Sequence, residues 1–271
     1  MTFSCDKPLM DAIIAAGLDT VEGAFAYSAG QRLDKPGLGS RTRIRLTLTD
    51  SAGAAHRLYL KRYGPVGAIR RLGRLFARGR RAGRAMTEYE NILAARRAGV
   101  PTMQAVGFGE QRDALGELRG YIIVTAVDGD AMSRRGCEFF DRHADQPQVA
   151  EAFTGKLLGL VCSLHRAGMA HRDLYAAHVF LHEHDGTFDL SLIDLARVFC
   201  PRLRPRRWLV KDLAALKYSM PPQWLRQCWD DFLRRWLERV GSMGKDIGRW
   251  HRAIDRRVAA MRRHDRKRKR S

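Results

Sequence analysis

Residues 171–181 read HRDLYAAHVFL, and residues 192–198 read LIDLARV. The first stretch follows a segment, Glu151 to Gly168, in which Phe153, Leu157, Leu160, Val161 and Leu164 fall on one helical face. It precedes two short apolar runs, VFLHEH and FDLSLID, that suit strands. Asp173 is therefore expected in a loop between a helix and a hairpin. An HRD triplet also arises by chance in an arginine-rich chain, so the second stretch carries weight. There Asp194 closes an apolar strand. Burying a carboxylate is costly unless a cation meets it, and Mg²⁺ on nucleotide phosphates is one such cation. The plainer alternative is an acid capping the following turn.

Working outward, RIRLTLTD (Arg43 to Asp50) and RLYLKRY (Arg57 to Tyr63) alternate at period two around SAGAAH, the pattern of a hairpin. Lys61 lies in the second of these strands. AMTEYENILAARRAG (Ala85 to Gly99) follows with Met86, Tyr89, Ile92 and Leu93 at helical spacing, Gly99 as its C-terminal cap and Pro101 just beyond. A strand lysine that grips phosphates needs a carboxylate to hold it. Glu88 is the candidate, because Glu90 projects about 200° away around the helix. The alternative for Lys61 is one more exposed lysine in a basic stretch. Tyr121 to Val127 reads as a buried strand, and VKDLAALKYS and QWLRQCWDDFLRRWLERV as helices.

Strands first and helices later predict an α+β protein. The expected division is 1–126 with the strand lysine, 127–248 as a larger helical portion, and 249–271 as a basic helix end with a mobile tail. Strand lysine, helix glutamate, loop aspartate and strand-end aspartate in this order form the set that phosphoryl transfer needs, because charge must be neutralised and a nucleophile held in line.

Composition bounds the rest. The chain has 271 residues, enough for one large domain or two lobes. Lys and Arg number 49 against 29 Asp and Glu, a net charge of +20. Such a field attracts polyanions without choosing among them. The five cysteines, Cys5, Cys137, Cys162, Cys200 and Cys228, form no CxxC pair, which argues against structural zinc and for reduced thiols. The N-terminus lacks a basic segment ahead of an apolar core, and no run of about 18 apolar residues occurs. A cytoplasmic protein with at most peripheral membrane contact is expected.

The sequence resembles the lipopolysaccharide core kinases, the heptose kinase and Kdo kinase group, which have a protein-kinase-like fold. The residues carrying the resemblance are YLKRYG at 59–64, TEYENILAARRAGVPTMQAVGFGE at 87–110, HRDLYAAHVFL at 171–181, LIDLARV at 192–198 and KDLAALKYS at 211–219. It spans roughly residues 20 to 240. The resemblance implies two lobes, a small β-rich one and a larger helical one, and Mg²⁺-ATP-dependent transfer to a sugar hydroxyl of the inner core, most like heptose. It implies Asp173 as catalytic base with His171 and Arg172 in its motif, Asp194 as the Mg²⁺ ligand, Lys61 on the phosphates paired with Glu88, and Asp212 bracing the catalytic loop. The alternative for Asp212 is an ordinary acid near a helix start. His178 stands where protein kinases carry a metal-binding Asn. Imidazole prefers softer metals than Mg²⁺, so positioning Asp173 or a phosphate is its other reading.

The chain also departs from kinases. No GxGxxG is present, so Gly37 and Gly39 within Ala29 to Ser40 are the candidates for a phosphate-covering loop. Leu195 and Ala196 follow Asp194 without a glycine, and no APE segment occurs. Lys61 to Thr87 holds nine basic residues and no acid before helix residue Glu88, with Ile69, Leu72, Leu75 and Phe76 at helical spacing. It reads either as a solvated face or as an interfacial helix meeting an anionic membrane or phosphorylated glycolipid. Trp224, Trp229, Trp236 and Trp250 read as core. The rival functions are a protein or small-molecule kinase of the same fold and a silent kinase-like binding module. Specific nucleic-acid binding is not expected, for lack of a recognition motif.

Overall fold

The computed structural model describes residues 1–33, 40–65, 83–114, 116–240 and 246–268. The chain divides into two compact units, one of Met1–Ala94 with Met103–Ala126 and one of Ala95–Thr102 with Val127–Ser271. Gly37, Gly39 and residues 66–82 of the basic insert lie outside the described residues.

In the first unit, β1 (Thr2–Phe3), β2 (Gln31–Arg32), β3 (Arg41–Thr49), β4 (Ala55–Tyr63), β5 (Ala105–Asp113) and β6 (Gly116–Thr125) form one antiparallel sheet in the order β1-β5-β6-β4-β3-β2. The expected hairpin is β3 with β4, in the register Arg43 opposite Lys61. The turn between them is closed by Asp50, whose Oδ1 accepts from Ala52 N and Ala54 N, both at 2.9 Å. Strand β4 lies inside the sheet, so Lys61 also faces Ile122 of β6.

Period-two alternation sends Leu58 and Leu60 to one face, where they join Ile44, Leu46, Tyr121 and Ile123. Two helices complete that core, α1 (Lys7–Ala15) and α2 (Val21–Ala26), through Leu9, Ile13, Val21 and Ala24. The sequence reading began with strands and did not anticipate them. Their signals are short: Asp6 caps α1 by accepting from Leu9 N at 3.3 Å, and Thr20 caps α2 by accepting from Gly23 N at 3.0 Å.

Helix α3 (Arg84–Arg97) is the expected lysine-partner helix. Its free N–H groups are met by carboxylates from the sheet: Glu117 accepts from Arg84 N at 2.8 Å and Glu110 from Met86 N at 2.9 Å. Gly99, with φ at 75°, ends the turn as expected, and Val100 N donates back to Ala95 O at 3.0 Å.

The second unit holds α4 (Met132–Arg142), α5 (Pro147–Arg166), α6 (Pro205–Ser219), α7 (Pro222–Val240) and α8 (Ile247–Arg268). A small sheet of β7 (Asp130–Ala131), β8 (Val179–His184) and β9 (Thr187–Leu192) carries the expected VFLHEH and FDLSL hairpin. All the apolar positions expected on α5 are buried. Gly168, at φ 73°, lets the chain reverse after α5, with Met169 N donating to Leu164 O at 3.2 Å. The segment 95–102 is fastened here: Thr102 Oγ1 donates to Leu192 O at 2.5 Å and Leu192 N to Pro101 O at 2.8 Å.

The four tryptophans read as core are buried, and Trp236 meets Trp250 with ring centres 4.9 Å apart. The basic helix end expected from residue 249 is helical as far as Arg268. Helix α8 packs on α6, and Trp250, Ile254 and Val258 form a buried stripe at four-residue spacing. Trp250 was expected in the core, and the surrounding arginines hid Ile254 and Val258 in the composition. Trp250→Ala is expected to cost about 3–5 kcal/mol in urea denaturation, the range for emptying a large aromatic site. A loss below about 1 kcal/mol would show that α8 is not integral to the unit.

Candidate active site

Alternation along β4 places Lys61 and Tyr63 on the face opposite Leu60, and both reach Glu88 of α3. Lys61 Nζ donates to Glu88 Oε1 at 2.5 Å, and the Tyr63 hydroxyl donates to Oε2. Glu88 is wholly buried, while Glu90 faces solvent. The choice between the two glutamates thus follows the helical turn. Lys61, with 14% of its side chain exposed, is tied down rather than solvated.

In the second unit the loop His171–Asp173 is built on Asp212 of α6. This carboxylate has no solvent exposure. Its Oδ2 accepts from His171 N at 2.6 Å and its Oδ1 from Arg172 N at 2.7 Å. Arg172 sits at φ 73°, a left-handed conformation that disfavours a long side chain. Two charge-assisted bonds to consecutive amides hold it there. His165 Nε2 lies 3.4 Å from Asp212 Oδ2, and His165 Nδ1 accepts from Trp236 Nε1 at 3.0 Å. A buried chain therefore runs from Trp236 through His165 and Asp212 to the loop backbone. The reading of Asp212 as a plain acid near a helix start is set aside by these bonds.

His171 is buried too, its Nε2 3.2 Å from Ile193 O, and burial holds its imidazole below the usual histidine range. The Arg172 guanidinium lies over Phe199 at 5.5 Å and Trp208 at 5.4 Å. Of the HRD triplet, Asp173 is the side chain left to face solvent chemistry, being 24% exposed. Arg197 Nη1 sits 2.9 Å from both of its oxygens.

His178 Nδ1 lies 2.7 Å from Asp173 O. Facing a carbonyl, that nitrogen must carry the proton. Its Nε2 lies 3.7 Å from Asp194 Oδ2. Asp194 follows β9 with φ and ψ both at 61°, and its side chain makes no cap bond to the short turn Leu195–Arg197. Its side chain is 31% exposed, so the desolvation argument made from the sequence holds only in part. Among the described residues no set of three or more His, Cys, Asp and Glu side chains gathers around a point. Mg²⁺ bound with nucleotide needs only one or two carboxylates beside phosphates and water, so the Asp194 carboxylate fits that group.

The expected residues thus fall into two gatherings, Lys61 with Glu88 and Asp173 with His171, Arg172, His178, Asp194 and Asp212. Arg197, His165 and Thr102 were not expected at the site, and Trp236 was expected only as core.

Residues 44–236 match the model of the Lipopolysaccharide kinase (Kdo/WaaP) family. The chain belongs to this family. The match takes in both Kdo/WaaP gatherings, from Lys61 to Asp212. The lipopolysaccharide core heptose(I) kinase WaaP of Pseudomonas aeruginosa is 34% identical over 143 residues, 50% of this chain and 52% of that protein. Its namesake in Escherichia coli K12 is 29% identical over 136 residues, 49% of this chain and 51% of that protein. The chain spans about half the length of the curated relatives it matches. A solved structure described as WaaP in complex with acyl carrier protein superposes with a TM-score of 0.68 at 24% identity, covering 96% of this chain and 99% of that one. That likeness shows the α+β, kinase-like Kdo/WaaP fold.

Asp212→Ala leaves two buried amides without an acceptor and is expected to cost about 3 kcal/mol, with faster hydrogen exchange at residues 171 and 172. Unchanged exchange there would refute the bracing role. Lys61→Met strands a buried carboxylate and is expected to cost about 3 kcal/mol, most of it recovered in Lys61→Met/Glu88→Gln. Equal stability of the single and double variants in thermal unfolding would contradict the pairing.

Proposed function

We propose that this chain is an ATP- and Mg²⁺-dependent kinase that phosphorylates a sugar hydroxyl of the lipopolysaccharide inner core, most like heptose. The observation that carries the proposal is Asp173: a partly exposed carboxylate on a loop whose backbone is pinned by a buried one, within a family match spanning residues 44–236. Asp173 takes the proton from the acceptor hydroxyl as its oxygen attacks the γ-phosphorus, and the bond to the β-phosphate oxygen breaks to release ADP. Arg197 holds the Asp173 carboxylate in one orientation, and His178 fixes the loop through the Asp173 carbonyl. His171 and Arg172 act as positioning residues, since one is buried and the other is stacked on aromatic rings. Lys61, braced by Glu88, binds the nucleotide phosphates. Asp194, with His178 beside it, would hold Mg²⁺, which when bound neutralises phosphate charge.

The proposed place of action is the cytoplasmic face of the inner membrane, with peripheral contact. The +20 charge supports it, and no helix among the described residues is long and apolar enough to cross a membrane.

The test incubates the full chain with labelled Mg²⁺-ATP and dephosphorylated core lipopolysaccharide beside a generic protein. Label is expected in the lipopolysaccharide, reduced at least about 100-fold in Asp173→Ala with an unchanged thermal midpoint. Label in the protein alone would favour the protein-kinase alternative. A smaller loss in the variant would refute the base role.

A further inference from the structure

Three cations gather on one indole beside the catalytic loop. Around the Trp208 ring centre lie Lys211 Nζ at 4.3 Å, Arg172 Cζ at 5.4 Å and Arg207 Cζ at 6.0 Å. Arg207 and Lys211 are four residues apart on α6 and share a face. Trp208 meets Phe199 edge-on at 4.8 Å, and Phe199 in turn underlies Arg172, the neighbour of Asp173. The indole therefore links this face of α6 to the loop that carries Asp173.

Arg172 feels the carboxylates of Asp173 and Asp212. Among the described residues, Arg207 and Lys211, the α6 members of the cluster, have no carboxylate partner. Asp173 is engaged through both oxygens by Arg197. Along the same helix pair the pattern is otherwise: Lys217 of α6 finds Asp255 of α8 at 2.6 Å. The Lys211 ammonium is held below the usual lysine range, first by burial and then by Arg257, Arg172, Arg207 and Arg197. One cation on a tryptophan is accounted for by the ring quadrupole. Like charges crowded on it are unfavourable until an anion joins them.

We propose that Arg207 and Lys211, arranged about Trp208, form a subsite for an anionic group, phosphate or carboxylate, borne by the acceptor near the hydroxyl that Asp173 activates. This rests on the kinase reading above and adds to it a class of acceptor: a sugar chain with a fixed negative charge close to the phosphorylated position. Neutral sugars with the same hydroxyl would be poor acceptors. The subsite works through binding, so its residues act on acceptor affinity and not on the chemical step.

The experiment uses the full chain and deacylated core oligosaccharide in three forms, all with the acceptor hydroxyl free: one with its phosphates and carboxylates, one stripped of phosphates, one with carboxylates reduced. Arg207→Ala/Lys211→Ala is expected to raise KM for the first form about tenfold, the size of one charge-assisted contact. Both kcat and KM for ATP should stay within about twofold. Lys211→Arg should keep the original KM. The form on which parent and variant become equal identifies the anion as phosphate or carboxylate. An unchanged KM on the first form, an equal rise on all three, or a parallel rise in KM for ATP would overturn the subsite. If the double variant is less stable, Lys211→Gln, which keeps its stem on Trp208, carries the comparison. Calorimetric binding of the first form without ATP separates this proposal from the kinase reading. With no transfer at all, binding weakened about tenfold in the variant still supports the subsite, and equal or undetectable binding refutes it.

Discussion

Asp212 accepts the amide hydrogens of two consecutive residues, His171 and Arg172, while wholly withdrawn from solvent. A carboxylate so placed is tolerable only if its lone pairs are filled. Two backbone donors and His165 do this, and His165 is itself fixed by the Trp236 indole. The loop in turn can hold Arg172 in a left-handed conformation. That conformation turns the chain so that Asp173 emerges with its carbonyl on His178 and its carboxylate on Arg197. The aromatic packing of α7 against α5 is thus coupled to the orientation of one partly exposed acid. A change in the helical core that moved Trp236 would reach Asp173 through three hydrogen bonds.

The first unit solves a similar problem by other means. Glu88 is buried, and its charge is balanced by a lysine from the sheet and a tyrosine hydroxyl from the same strand face. Strand period and helical period together decide this meeting. Lys61 and Tyr63 share a face because they are two apart, and Glu88 faces them because Ala85, Glu88, Ile92 and Ala95 lie on one side of α3. The start of α3 is set by Glu110 and Glu117 accepting its free amides, and burial holds Glu110 above the usual carboxylate range. Acids of the sheet thus fix where the helix begins, and the helix fixes where the lysine points.

Periodicity explains what was legible in the sequence. The β3–β4 hairpin, helix α5, the β8–β9 hairpin and the pairing of Lys61 with Glu88 over Glu90 are all local patterns, readable from spacing. Helices α1 and α2 were missed because they are short and marked only by the caps Asp6 and Thr20. Ile254 and Val258, which complete a buried stripe with Trp250, were missed because arginines dominate the composition of α8. Arg197 and His165 were missed for a different reason. Their roles depend on contacts 24 and 47 residues away along the chain, to Asp173 and Asp212. Nothing in local spacing encodes such a meeting. Asp194 is an intermediate case: its place at a strand end was readable, but the expected burial was met only in part, the carboxylate being 31% exposed at a left-handed turn.

Net charge looked at first like a diffuse property, an attraction to any polyanion. The described residues divide it into different physical kinds. Many arginines are spent on exposed pairs such as Arg235 with Glu151 and Arg142 with Glu183, each of small energetic consequence. Others are structural, as Arg172 is on its aromatic rings. A third kind, around Trp208, is left uncompensated within reach of the catalytic loop. A protein that needed only solubility or a long-range field would spread its excess cations and avoid their repulsion. Concentrating them on one indole costs stability in the free chain. That cost becomes intelligible if an anion of the acceptor relieves it on binding, since the repulsion released then contributes to affinity for charged acceptors and to discrimination against neutral ones.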